Sequence, residues 1–389
     1  MYITNLTIYA EEGVIEKGYI EIEGNVIKSV GSMDSFVPSD EKEIITFDNS
    51  YSLIPGMIDL HIHGAAGSDV MDAEPEALQT MAKALPREGT TSFLATTMTT
   101  SKADIEQALE NIASYIPNQQ PGDSEILGAH LEGPFLSPKR AGAQHPDNII
   151  EPDIELFKKW QNASGDNIKL VTLAPERPGG LELTSYLKNN GVVASIGHSD
   201  AVYEEVEEAI RAGVTHATHL FNGMRGIHHR EPGVAGAVLL HDEVTCEMIV
   251  DGIHIAPKMV TFAYKNKGPK GVILVTDAMR AKCLGAGTYD LGGQEVIVNE
   301  ERAVLKDGTL AGSILKLNDA VRNMMEFSQC SLADIVQMTS GNPAKQIRVF
   351  DRKGSIKAGK DADVVVVNDK LEVVMTFCRG KLAFSILEG

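Results

Sequence analysis

The sequence predicts an α/β fold: a (β/α)8 barrel inserted into a small β-sandwich domain built from both ends of the chain. Three observations predict it. Between about residues 52 and 349, short apolar strand-like runs alternate with helical patterns, the signature of a parallel sheet or barrel. The strand-like runs number eight, the strand count of a TIM barrel. Both ends of the chain are β-rich in blocks too short for an independent core, so the economical solution pairs them with each other. The expected division is 1–52 and 350–389 for the small β domain and 53–349 for the barrel.

In chain order, residues 2–9 are rich in β-formers, and Tyr19-Ile20-Glu21-Ile22-Glu23 alternates apolar and charged residues before the turn signal Gly24-Asn25. The eight barrel strands are expected at 53–61, 91–97, 126–132, 168–174, 192–197, 214–219, 244–250 and 271–276. Between the second and third, Ser101 to Asp104 reads as a capped helix start, followed by Ile105, Ala108, Leu109, Ile112 and Ile116 on one face. Between the fifth and sixth, Val202, Val206, Ala209 and Ile210 form a second apolar stripe, with Ser199 or Asp200 as N-cap and Gly213 past the end. Residues 284–312 break the rhythm. Gly285, Gly287, Gly292 and Gly293 with the strand-like 295–299 predict a β-hairpin excursion after the eighth strand. The C-terminal block carries a β-branched run at 364–367 and a second strand at 371–377.

Composition excludes several classes of function. The 389 residues are 43% hydrophobic and 23% charged, enough for a large core and incompatible with global disorder. The net charge of −19 disfavours nucleic-acid or anionic-membrane partners, although a local cationic cluster can still bind a small anion. No run reaches the roughly 18 consecutive apolar residues of a membrane span. The N-terminus lacks a basic segment followed by an apolar run, so no signal peptide is expected. Cys246, Cys283, Cys330 and Cys378 are scattered, with no Cys-x-x-Cys, which fits a reducing compartment, with the cytoplasm as the expected location.

The chemistry lies in the histidines. His61 and His63 end the first strand, and residues two apart on a strand point the same way, so both imidazoles can face one metal. Glu132 ends the third strand, His198 follows the fifth, His219 ends the sixth, His254 follows the seventh and Asp277 follows the eighth. In a barrel these strand ends form a single rim, which is where catalysis takes place. Imidazole nitrogens with carboxylate oxygens suit zinc, iron or another divalent first-row ion.

The segments LIPGMIDLHIHG (53–64), HLEGPF (130–135), Gly197-His198-Ser199, THLFNGM (218–224), DGIH (251–254), VTDA (275–278) and GSIKAGKDADVVVV (354–367) together resemble the amidohydrolase superfamily. Within it, the chain is most similar to the family that deacetylates N-acetylglucosamine 6-phosphate. The resemblance implies metal-dependent hydrolysis of that acetamide to glucosamine 6-phosphate and acetate, in amino-sugar catabolism. It implies a main metal site on Glu132, His198 and His219, and Asp277 as the acid/base. His61 and His63 match the superfamily's second metal position. Since both are retained, one or two ions per chain are implied, with two, bridged by Glu132, expected.

The same resemblance implies sugar-phosphate contacts from Asn222, Gly223, Arg230, Asp251 and His254, with Arg230 similar to an arginine contributed across a homodimer interface. It also implies backbone contacts from Ala143 and from Leu310, Ala311 and Gly312. Residues 225–230 hold two Arg and two His and no acid, a composition that suits a phosphate receptor. Gln144 and His145 compete for contact with the acetyl carbonyl. His130 reads equally as a support of the site or as a buried structural histidine, and His216 and His241 read as structural.

Two alternative readings stand beside this one. A dihydroorotase-like or hydantoinase-like enzyme acting on a cyclic amide would commonly carry a lysine at the end of the fourth strand, where this chain has Leu173-Ala174-Pro175-Glu176. A non-catalytic scaffold should have lost ligands, and every expected one is present.

Overall fold

A computed structural model describes residues 1–39 and 41–387; Asp40, Glu388 and Gly389, within the expected small domain, lie outside the described residues. Eight parallel strands follow one another around a barrel: β1 (Met57–Ile62), β2 (Thr90–Thr97), β3 (Glu125–Glu132), β4 (Ile168–Leu173), β5 (Val193–Ile196), β6 (Val214–Ala217), β7 (Thr245–Met248) and β8 (Val272–Leu274). Each is followed by a helix: α1 (Pro75–Ala84), α2 (Lys102–Tyr115), α3 (Ile154–Ala163), α4 (Gly180–Asn189), α5 (Tyr203–Ala212), α6 (Gly233–Leu240), α7 (Pro257–Lys267) and α8 (Leu317–Ser328). Every residue of β1 and β2 is buried, because helices cover the outside of the barrel and side chains fill the inside.

The seam between β8 and β1 closes just above the strands. Asp277 N–H donates to His61 O at 2.8 Å and His63 N–H to Ala278 O at 2.9 Å. Lower in the seam, the Thr276 hydroxyl donates to Asp59 Oδ2 at 2.6 Å. This closure brings residues more than 200 positions apart into one rim.

The expected first strand, 53–61, is two strands. Ser52–Pro55 belongs to the terminal sheet, between Tyr2–Ala10 and Val364–Val367, and the chain enters the barrel only at Met57. Gly56 is the break, where a Cβ would lie 2.1 Å from Thr91 Oγ1. The terminal sheet has eight strands, including Lys381–Ser385, which was not expected. It curls over a core of Ile3, Leu6, Ile20, Leu53, Val364 and Phe377 and returns on itself, with Ile27 N–H donating to Lys360 O at 2.9 Å.

The local expectations hold with two corrections. The Ser101 hydroxyl accepts from Asp104 N–H at the start of α2. At α5, neither Ser199 nor Asp200 caps the helix. The cap position is Val202, whose N–H donates to the Glu205 carboxylate at 2.9 Å. The Ser199 hydroxyl donates instead to Glu176, and Asp200 pairs with arginines. The excursion after β8 is a three-stranded antiparallel sheet, Gly287–Leu291, Gln294–Val298 and Ala303–Val304. Among the described residues, no helix is long and apolar enough to cross a membrane.

Candidate metal centre and active site

Glu132 is the last residue of β3, and the other groups lie at or just beyond strand ends: His61 and His63 at β1, His198 after β5, His219 after β6 and Asp277 after β8. His198, His219 and Asp277 adopt left-handed backbone angles, φ 47°, 32° and 48°. Non-glycine residues pay for that conformation, and such strain gathers where a side chain must be aimed.

The Glu132 carboxylate sits at the centre. Its Oε1 lies 3.1 Å from His219 Nε2 and 3.2 Å from His198 Nε2, and its Oε2 lies 3.2 Å from His63 Nε2. His61 Nε2 is 3.5 Å from Glu132 Oε1. Asp277 Oδ1 lies 3.4 Å from His61 Nε2 and 3.3 Å from His63 Nε2. All are buried.

The opposite ring nitrogens face acceptors: His61 Nδ1 lies 3.0 Å from Glu247 Oε2, His63 Nδ1 3.2 Å from Thr96 O, His198 Nδ1 2.8 Å from Arg140 O and His219 Nδ1 3.0 Å from Asn222 O. A carbonyl or carboxylate oxygen can only accept, so each Nδ1 carries a proton, and each ring turns its Nε2 inward, where it would offer a lone pair to a bound cation. The facing Nε2 atoms are 3.3 Å apart in the His61–His63 pair and 3.1 Å apart in the His198–His219 pair. Lone pairs so close repel unless a cation lies between them. Four ligands at ~2.1 Å in a tetrahedron stand ~3.4 Å apart, so the donor set fits a divalent metal. Among the described residues three groups could hold an ion, His61–His63–Glu132, Glu132–His198–His219 and His61–His130–Glu247; the first two share Glu132.

The electrostatics agree. Burial pushes the Asp277 carboxyl up, but His61 and His63 outweigh it and hold the group below the usual range. Glu132 is held well below that range against its own burial by His61, His198 and His219. Burial lowers the His63 imidazole, yet Asp277 and Glu132 raise it to about 9. The buried carboxylates draw positive charge into this cluster.

A cavity of about 220 Å³ opens over the donor set. Of the expected substrate contacts, Ala143, Asn222, Gly223, His254, Leu310 and Gly312 line it, with Met98, Leu291 and Thr309 as further walls. Asp251 stands behind His254, accepting from its Nδ1–H at 2.6 Å. Three further residues singled out in the sequence lie off this cavity or are engaged elsewhere. Ala311 is buried off the cavity, its N–H donating to Ala303 O at 3.1 Å. Arg230 is exposed outside it. Arg225 is not free to bind an anion, because Asp200 accepts from its guanidinium at 2.7 Å.

Gln144 lines the cavity and His145 does not. Gln144 Nε2 donates to Glu132 Oε2 at 2.8 Å, and its Oε1 accepts from Thr99 N–H at 2.8 Å. His130 packs edge-on against the His61 ring, centroids 4.6 Å apart, with Nδ1–H donating to Leu60 O at 3.1 Å and Nε2 accepting from the Thr172 hydroxyl at 2.7 Å. Burial, with His61 beside it, lowers it to about 3. His216 bonds Glu247, and His241 packs against Tyr203, both away from the cavity. Sequence reasoning missed Glu247, fully buried on β7. The signal was available: it is the one acid in the apolar run 244–250.

A model of the amidohydrolase family matches residues 52–383. The N-acetylglucosamine-6-phosphate deacetylase of Bacillus subtilis (strain 168) is 49% identical over 386 residues, covering 99% of this chain and 97% of the relative. Among solved structures, the N-acetylglucosamine-6-phosphate deacetylase of Thermotoga maritima superposes with a TM-score of 0.89 at 35% identity over 99% of this chain and 100% of the other. A variant of the Mycobacterium smegmatis enzyme, solved in complex with N-acetyl-D-glucosamine-6-phosphate, reaches 0.92 at 30% identity over 99% of both chains. Similarity over nearly the full length, on a fold that carries the donor set at its strand ends, places the chain in the amidohydrolase family, among the N-acetylglucosamine-6-phosphate deacetylases.

Proposed function

We propose that this chain hydrolyses the acetamide of N-acetylglucosamine 6-phosphate to glucosamine 6-phosphate and acetate. The observation that carries this reading is Asp277, whose Oδ1 stands 3.3 Å from His63 Nε2 at the edge of the donor set and faces the cavity. An amide is a poor electrophile with a poor leaving group. A divalent cation held by Glu132 and the histidines would supply Lewis-acid polarisation of the carbonyl and acidification of water. Asp277, ionised at neutral pH, takes the proton of the attacking water and delivers it to the departing nitrogen. Gln144 and the four histidines hold Glu132 and the donor set in place. The cyclic-amide reading is disfavoured, because among the described residues no lysine lines the cavity.

Zinc or iron suits these ligands, and the shared Glu132 supports two ions per chain. Purified wild-type protein is expected to hold close to two ions, and a His61→Ala/His63→Ala double variant about one, by elemental analysis. Unchanged stoichiometry in the double variant would remove the second site.

The cavity wall includes no Arg or Lys among the described residues, so a 6-phosphate there meets His254 and needs a further cation. In our reading Arg230 of a second copy supplies it in a homodimer. Arg230 sits on an exposed loop, and Ile227 on that loop with Ile253, Met259 and Phe262 on the elements that follow are exposed apolar side chains that a second copy could cover. Loss of a charge-assisted contact is expected to lower kcat/KM of Arg230→Ala about 10–150-fold on the phosphorylated sugar. Activity on unphosphorylated N-acetylglucosamine should hardly change. Equal losses on both substrates would assign Arg230 to the fold or the dimer instead. All four cysteines are free, in keeping with a reducing compartment, and the proposed place of action is the cytoplasm.

A further inference from the structure

Glu247 has no part in the roles assigned so far, yet it is a fully buried acid at the centre of the barrel. Its Oε2 accepts from His61 Nδ1–H at 3.0 Å and from His219 N–H at 3.2 Å, and its Oε1 accepts from His216 Nε2–H at 3.0 Å. It therefore touches one ligand of each candidate metal position: the imidazole at the His61–His63 site and only the backbone at the Glu132–His198–His219 site.

We propose that Glu247 is a positioning residue that builds the His61–His63 metal position, fixing His61 with its proton on Nδ1 and its Nε2 lone pair toward Glu132. The proposal rests on the two-ion reading above. Without an acceptor at Nδ1, His61 is free to place its proton on Nε2, which blocks coordination. Charge acts in the same direction. Glu132, Asp277 and Glu247 are three carboxylates around one buried cluster, so a single dication leaves the group negative and a second makes it net positive. Removing the Glu247 charge weakens the case for the second ion. The main position keeps its three ligands, because Glu247 meets it only through the His219 backbone.

The test is ion binding to wild type and Glu247→Gln, followed by elemental analysis of protein equilibrated with graded free zinc. Glutamine keeps the size of the side chain, removes the charge and leaves one acceptor oxygen where the carboxylate serves both His61 and His216. The dissociation constant of the second ion should rise about 10–100-fold, while that of the first should stay within about twofold. Equal weakening of both ions, or no change in either, overturns the proposal. Wild-type protein that saturates with one ion overturns the two-ion reading itself and shows this before the variant is considered. Because Glu247→Gln changes a buried group and can impair folding, a second measurement uses wild-type protein alone. Nitrogen-15 histidine spectra of the zinc-loaded chain should show the His61 proton on Nδ1, and a His61 without a proton there overturns the proposal.

Discussion

Replacing Asp277 with asparagine lowers kcat by about 10²–10⁴-fold, the contribution of a positioned general acid–base, while metal content stays at the wild-type level. The substitution is nearly isosteric. It also suits the backbone, because asparagine tolerates the left-handed angle that Asp277 adopts, φ 48°. The main chain here is held independently of the side chain, with Asp277 N–H donating to His61 O at 2.8 Å and Asp277 O accepting from Ser313 N–H at 2.7 Å. The loss is therefore one of proton transfer rather than architecture. Steady-state kinetics alongside elemental analysis check it. A near-normal kcat would move the base elsewhere in the cavity.

Glu132→Gln is expected to fail in a different way. Its carboxylate is the group common to the two proposed metal positions, so an amide in its place removes the anion that lies between the two histidine pairs. Metal content should fall below one ion per chain, and activity by more than about 10³-fold, since Lewis-acid activation contributes several kcal/mol to the barrier. Asp277→Asn keeps its metal and Glu132→Gln does not, and this contrast separates the proton shuttle from the bridge. A Glu132→Gln protein that retains two ions would contradict the ligand assignment.

Much of this was legible in the sequence, for reasons specific to the residues. The barrel strands read clearly because both faces are buried, which makes each a short apolar run between helical patterns. The same property hid the break at Gly56. Ser52–Pro55 and Met57–Ile62 are both buried throughout or nearly so, and only the contact between Gly56 and Thr91 separates them. The gathering of the donor set was legible because polar residues at the ends of apolar strands have one place to go, the rim. Roles that depend on partners distant in sequence were not. Residues 225–230 contain no acid, but folding brings Asp200 to Arg225. The cap of α5 passed to Glu205 because Ser199 and Asp200 are occupied across the rim. Which of Gln144 and His145 turns toward the cavity is a one-residue register that no periodicity sets; in the fold Gln144 lines it, bonded to Glu132 and Thr99. Glu247 went unread because one acid in a strand is silent about its partners until β1 and β6 lie on either side of it.

The measurement that tests the central claim most directly is release of acetate and free amine from N-acetylglucosamine 6-phosphate by three preparations of the wild-type chain: as purified, stripped with a chelator, and resupplied with zinc or iron. Equimolar acetate and amine should appear with the first, disappear with the second and return with the third. Undiminished hydrolysis by the stripped chain, or a metal-loaded chain that releases no acetate while opening a cyclic amide such as dihydroorotate, would contradict the account.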